Sequence, residues 1–280
     1  MMPGKVVPAQ PSMTGEMAMV VVDTHVHVAL HTYEPVEILL TQMSYNGVEK
    51  AVLVQSTTTT DNTYLIECQR RFPGRFSLVC RVDVASPSAL DDLKRWNREG
   101  AESLRLRNFH RSPGDDPLAI WRTAAELGMP VSVGGLAEGF ASADFSSLVE
   151  SLPNLKIVIE HLGGMGIYAI SDYTDVRPAE SQFRQVLRLA RYPNTYMKIH
   201  GMGEFCPPPF PYREIAPYVQ TAYDAFGPQR MMWGSDYPRV ALREGYRNSL
   251  QFTKEHMPFC SQADLEWIFG KTALSLWRFP

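Results

Sequence analysis

Eight short apolar stretches recur along the chain, at residues 20–28, 51–56, 76–84, 103–107, 130–134, 156–161, 195–200 and 230–236. Their starts lie roughly 25–40 residues apart, the length of one strand followed by one helix. The intervening segments carry helix signals. Asp61 precedes a helix predicted over 62–71 and stopped by Pro73-Gly74. Ser86-Pro87 precedes one over 89–99, with Gly100 after it. Asp115-Asp116-Pro117 opens one over 118–127, closed by Gly128, and three more read over 180–191, 213–226 and 262–269. Eight strands alternating with helices imply a closed parallel sheet, a single (β/α)8 barrel. The alternative is an open doubly wound sheet. Such a sheet would usually carry a glycine-rich phosphate loop after its first strand, where this chain has His25-Val26-His27.

With 280 residues and 45% hydrophobic composition, the chain can bury one large core. Residues 1–18, with Pro3, Gly4, Pro8, Pro11 and Gly15 and no apolar periodicity, read as a flexible tail before a barrel domain over 19–280. A formal net charge of -3 gives no electrostatic case for nucleic acid or an anionic membrane as partner. No apolar run approaches the ~18 residues needed to span a bilayer. Lys5 is followed by no apolar stretch, so no secretory leader is expected. Cys68, Cys80, Cys206 and Cys260 are scattered, with no CxxC pair, and read as reduced thiols of a cytoplasmic protein. A homo-oligomer is compatible with this reading.

Side chains on a strand alternate faces, so Asp23, His25 and His27 point the same way. Two imidazoles converging from one strand suit a metal or a polar reaction centre. The plainer alternative is a pair of satisfied histidines on a half-exposed strand. In a barrel of this kind the active site lies at the C-terminal ends of the strands. His161 ends the sixth apolar stretch there and Asp236 the eighth. Three histidines and a carboxylate at one rim can hold one divalent ion, or form a general-base cluster without metal.

The fourth strand, Ser103-Leu104-Arg105-Leu106-Arg107, alternates apolar with polar. With Leu104 and Leu106 toward the helices, Arg105 and Arg107 face the barrel axis. A guanidinium keeps its charge there and needs a carboxylate, from the protein or from a ligand. On the seventh strand Tyr196, Lys198 and His200 share a face opposite Met197 and Ile199, and Arg81 and Arg239 add charge near the rim. Internal salt bridges to Asp83, Glu160 or Asp23 are one outlet. The surplus of cations favours a small anionic ligand.

Asp-x-His-x-His at 23–27, His161-x-Gly163 and Trp233-Gly234-Ser235-Asp236-Tyr237-Pro238 resemble the amidohydrolase superfamily, in particular its amidohydrolase-2 branch. The resemblance runs from about residue 20 to the end, where 270–277 is similar to that branch's closing helix. Within the branch the chain is similar to the 2-pyrone-4,6-dicarboxylate lactonase group and to sugar-acid lactonases. Val52-Leu53-Val54-Gln55-Ser56 with Asp61-Asn62, Leu104-Arg105 with Arg111, and Tyr212-Arg213-Glu214 carry that likeness. It implies a (β/α)8 barrel and a hydrolase that opens a lactone or similar cyclic ester bearing a carboxylate. Asp236 would be the general base. His25, His27 and His161 would polarise the carbonyl, directly or by joining Asp236 around one divalent ion. Zinc is the expected ion, and a metal-free site is the alternative. Arg105 and Arg111 would hold the substrate carboxylate, assisted by Arg107, Lys198, His200 and Arg239. The fifth strand, Val131-Ser132-Val133-Gly134, lacks the bridging ligand of two-metal members, so at most one metal is expected. His200 resembles instead the metal-dependent decarboxylases of the branch. A non-oxidative decarboxylase of an aromatic or muconate-type acid is therefore the second expectation.

Overall fold

A computed structural model of the chain describes residues 19–165, 180–200, 210–212 and 215–280. The expected tail, residues 1–18, lies outside the described residues. The eight expected strands form as β1 Val22–Val26, β2 Lys50–Val54, β3 Phe76–Cys80, β4 Ser103–Arg107, β5 Val131–Gly134, β6 Ile157–Ile159, β7 Thr195–His200 and β8 Met231–Gly234. They pair in parallel in chain order from β1 to β8. The sheet closes by a bridge between Val26 and Tyr237, with the His27 N–H donating to the Tyr237 carbonyl at 2.7 Å. This is the (β/α)8 barrel the sequence implied. His27, His161 and Asp236 lie just past the last paired residues of β1, β6 and β8, so their side chains stand at the mouth.

Period-two alternation divides the apolar residues between two clusters, except in β1, where pairing with β2 is irregular between Asp23 and Val26 and Val22 and Val26 fall in opposite clusters. Ala51, Leu53, Leu78, Leu104, Leu106, Ile157, Ile159, Met197 and Ile199 pack outward under the helices. Val22, Val52, Val54, Val79, Val158 and Met232 face inward and pack on Ala273, Leu276 and Trp277 near the C-terminus. The lower half of the barrel is thus filled with apolar side chains, and the polar ones stack above them.

The helix over 89–99 forms as Ala89–Glu99, and that over 118–127 as Ala119–Glu126. The stretch read over 180–191 is helical through Leu187 and tightens to a 3-10 turn, Arg188–Arg191. From 262 to 276 the chain is helical with a π-helical turn at Trp267–Lys271, opened by a reciprocal cap between Ser261 and Asp264. Helices Val36–Tyr45, Ala137–Ala141, Ala143–Ser151 and Tyr246–Glu255 were not expected. The first has no side-chain cap, yet its buried Val36, Leu39 and Met43 recur at helical spacing.

One close approach brings β8 against the histidines. A Cβ on Gly234 would stand 2.9 Å from both N and Cβ of His25 and 3.2 Å from Cβ of His200. Gly234→Ala is expected to cost roughly 1–3 kcal/mol through overpacking. A denaturant unfolding midpoint checks this, and an unchanged midpoint would mean that β8 can shift freely.

Candidate active site

The polar centre rises from β1 and β8. Asp23 ties these strands together: its carboxylate accepts from the Ser235 N–H at 2.8 Å, the Tyr246 hydroxyl at 2.8 Å and the His25 N–H at 3.2 Å. Burial pushes its pKa up to about 6, against those hydrogen bonds. Above it, Nε2 of His27 and of His25 lie 3.4 and 3.6 Å from Oδ1 of Asp236. His27 Nδ1 is 2.7 Å from the Val54 carbonyl. A carbonyl only accepts, so Nδ1 carries the proton and Nε2 presents its lone pair to the carboxylate.

Two candidate ligands sit in left-handed backbone. Asp236 has φ 61°, and His161, Leu162, Gly163 and Gly164 have φ of 51°, 47°, 77° and 84°. Those four residues make one left-handed turn after β6. Such a turn costs about 1–2 kcal/mol for each non-glycine residue, and the paired glycines limit the cost to His161 and Leu162. Strain of this kind concentrates at functional sites.

His200 stacks on His25 at 4.0 Å between ring centroids, and His161 lies 4.0 Å from His200 and 5.6 Å from His25, so the three rings cluster together. The His161 backbone N–H donates to His200 Nδ1 at 3.2 Å. Nδ1 is therefore the acceptor, and the neutral ring carries its proton on Nε2. Burial, with cations including Arg105 close by, holds His27 at a pKa of about 3 and His25 and His200 well below the usual value. Burial does the same for His161, which falls to about 3 although Glu160 opposes the shift. Neutral imidazoles are the form that binds metal.

Beneath the histidines a polar chain crosses the barrel. Lys198 donates to the Thr24 carbonyl at 2.8 Å, and its Nζ lies 3.4 Å from His25 Nδ1 and 3.3 Å from Ser132 Oγ. Ser132 donates to Glu160 Oε1 at 2.8 Å, and Arg105 donates to Glu160 Oε2 at 3.0 Å and to the Gln55 carbonyl at 2.8 Å. Burial alone would raise the Glu160 carboxyl; Arg105, Lys198 and His161 outweigh it and bring its pKa down to about 2. Burial lowers Lys198 to about 8, with Glu160 opposing. Glu160 was named from sequence only as a salt-bridge partner, and Ser132 and Tyr33 were not singled out. Tyr33 stacks on His27 at 5.3 Å. For Glu160 the signal was its place beside His161 at a strand end.

The expected residues separate into groups. His25, His27 and Asp236 present ligand atoms all within 4.8 Å of one another, and His25, His161 and His200 form a second such set sharing His25. Arg105 is committed to Glu160, and Arg111 pairs with Asp144 and donates to the Asn108 and His110 carbonyls. Lys198 is fully buried, Arg107 is half-buried at the end of β4, and Arg239 is exposed, its charge pulling Asp236 downward.

The donor set fits a divalent ion. Tetrahedral zinc with bonds of about 2.0–2.1 Å separates its ligand atoms by about 3.3–3.4 Å, close to the 3.4 and 3.6 Å found here. Both Asp236 oxygens are buried without a hydrogen-bond partner among the described residues, as is His25 Nε2. A lone pair facing a carboxylate across that gap calls for a proton or a cation between them. His25 Nδ1 accepts from Lys198 as His200 Nδ1 accepts from the His161 N–H, so in these neutral rings Nε2 carries the proton, which an ion would displace, whereas His27 Nε2 presents a lone pair; the first set also supplies a carboxylate and the second does not.

Comparison with known proteins gives the family and the fold. A family model described as amidohydrolase (Amidohydro_2) matches residues 13–279. The chain is 26% identical over 201 residues to L-fucono-1,5-lactonase of Burkholderia ambifaria, a match covering 70% of this chain and 67% of that protein. Among solved structures, an amidohydrolase of Burkholderia multivorans with bound zinc superposes with a TM-score of 0.74 at 20% identity, covering 92% of this chain and 98% of that one. A Pseudomonas putida protein described as a 2-pyrone-4,6-dicarboxylic acid hydrolase superposes with a TM-score of 0.71 at 23% identity, covering 93% and 98%. Among the described residues no helix is long and apolar enough to cross a membrane.

Proposed function

Because the chain belongs to the amidohydrolase family, we propose that it hydrolyses a lactone or similar cyclic ester of a small organic acid. The observation that carries this reading is the buried Asp236 carboxylate, without a hydrogen-bond partner among the described residues and held 3.4 and 3.6 Å from His27 and His25. The L-fucono-1,5-lactonase likeness supports the choice of a lactone. Asp236 takes a proton from water, and the water oxygen attacks the ester carbonyl. The acyl C–O bond then breaks, and the ring oxygen takes the proton from Asp236 and leaves as a hydroxyl, giving a hydroxy acid and restoring the base. Burial sets the Asp236 carboxyl at about 7, with Arg239 and Arg105 opposing, a value suited to a base near neutral pH. His200 Nε2–H, buried and without a hydrogen-bond partner among the described residues, donates to the oxyanion that forms on the carbonyl oxygen. Lys198 and Glu160 act through His25 and Arg105 as positioning residues.

His25, His27 and Asp236, with His161 adjoining, would hold one zinc ion. That ion would supply Lewis-acid polarisation and lower the pKa of water. Free thiols at Cys68, Cys80 and Cys260 fit a cytoplasmic setting. A panel of sugar-acid and dicarboxylate lactones, followed by acid release on purified protein, tests the reading. Ring opening with about one zinc per chain, lost on chelation and restored by zinc, is the expected result. Two metals per chain would contradict the single-ion assignment. Release of CO2 from an aromatic acid without lactone opening would replace the reading with the decarboxylase.

A further inference from the structure

The two histidines of β1 have different neighbours behind them. His27 donates from Nδ1 to the Val54 carbonyl at 2.7 Å, the support that a metal-binding imidazole ordinarily has, and its Nε2 keeps a lone pair. Among the described residues His25 Nδ1 has no such acceptor. It faces Nζ of Lys198 instead, at 3.4 Å. Glu160 Oε1 lies 3.8 Å from that nitrogen, beyond hydrogen-bond reach.

A lysine ammonium has three donors and no acceptor. One of them goes to the Thr24 carbonyl at 2.8 Å, which only accepts. A second goes to Ser132 Oγ at 3.3 Å, whose own proton is given to Glu160 Oε1 at 2.8 Å. The third is left for His25 Nδ1, which accepts it. The neutral His25 ring then carries its proton on Nε2, the atom 3.6 Å from Asp236 Oδ1. Lys198 is held in this place. It is fully buried on β7, its Nζ stands 5.4 Å from the centre of the Trp277 ring, and Glu160 favours its charged form.

We propose that Lys198 is a positioning residue that locks His25 with its proton on Nε2, so that a divalent ion bound at His25, His27 and Asp236 must displace that proton to solvent and is held more weakly than this donor set would otherwise hold it. The proposal rests on the one-ion reading of the site and deepens it. His27 is a ready ligand, whereas His25 becomes one only after giving up its Nε2 proton.

Zinc alone, added to chelator-treated protein, tests this. Lys198→Met removes the ammonium, and Lys198→Gln replaces it with an amide whose oxygen can accept from Nδ1. Competition with a chromophoric chelator is expected to show zinc held about tenfold or more tighter by both variants than by wild type. Proton–nitrogen NMR on histidine-labelled, metal-free protein reads the tautomers, with His25 and His27 assigned from His25→Gln and His27→Gln. Wild type is expected to carry the His25 proton on Nε2 and the His27 proton on Nδ1, and Lys198→Gln to move the His25 proton to Nδ1. A lysine that only fills space would leave the tautomer where it is. Equal or weaker zinc binding by a variant that keeps the wild-type melting temperature would overturn the proposal, as would a His25 proton on Nδ1 in wild type. If neither variant folds, the wild-type tautomer decides. Zinc bound by none of the three proteins would overturn the proposal together with the one-ion reading. The lactone reading stands apart from both, because neither measurement needs turnover.

Discussion

Asp236→Asn is expected to abolish turnover, by on the order of 10²-fold or more, and to raise the melting temperature of the chelator-treated protein at pH 8. The two effects have one origin. The Asp236 carboxylate is buried and accepts no hydrogen bond among the described residues, so an amide forfeits no bond that the fold uses. Its φ of 61° is one that asparagine adopts readily. Burial pushes the native pKa from 3.8 up to about 7, with Arg239 and Arg105 opposing. A raised pKa means that folding favours the protonated form. The contribution of Asp236 to stability is whole below 3.8 and is lost as pH rises through 7. The stability advantage of asparagine is therefore absent in acid and full at pH 8. Thermal melts in chelator at both pH values, beside steady-state assays, check the pair. Near-normal kcat would remove Asp236 as the base, and a lower melting temperature at pH 8 would mean that its charge is compensated in the fold.

Glu160→Gln is expected to destabilise the barrel by roughly 3–5 kcal/mol, the cost of leaving a buried ion without its partner. That corresponds to a fall in melting temperature on the order of 10 °C. Glutamine keeps the shape and can still accept from Ser132, so packing is preserved and the charge alone is removed. Arg105 and Lys198 then face each other's field with no anion between them. Burial works against the Glu160 charge, but Arg105 and Lys198 prevail and hold its pKa at about 2. A lowered pKa makes its contribution whole above the ordinary value of 4.5 and lost as pH falls through 2. The difference between the two proteins should hold from pH 5 to 8 and narrow only in strong acid. Calorimetry across that range measures it, and equal melting temperatures would mean that the two cations are neutralised from elsewhere.

Much of the fold was legible because its signals are local. The eight apolar stretches became eight strands, and Leu104 and Leu106 face outward from Arg105 as period two requires. His25 and His27 share a face, and both reach Asp236. The helix Val36–Tyr45 was missed although its spacing was present, because no side-chain cap marked its start. Glu160 was underweighted because a carboxylate next to a histidine reads alike whether it faces solvent, a metal or an arginine.

The sequence by itself determined which residues reach the mouth and, outside β1, which face each strand residue takes, since both follow from backbone periodicity and position within a strand–helix unit. In β1 the pairing with β2 is irregular between Asp23 and Val26, so Asp23, expected beside His25 and His27, instead follows the inward Val22 and bonds Tyr246 of the outer layer. Tertiary structure alone decided who answers whom. Arg105 and Glu160 are 55 residues apart, Lys198 and Thr24 are 174, and Asp23 and Ser235 are 212. Closure of the barrel brings these pairs within hydrogen-bond reach, and no local pattern records the distance across a closed sheet. The same closure commits Arg105 and Arg111 to protein carboxylates. Burial inside the closed barrel, a property of the assembled strands and of no single residue, sets Asp236 near neutrality and holds four histidines uncharged.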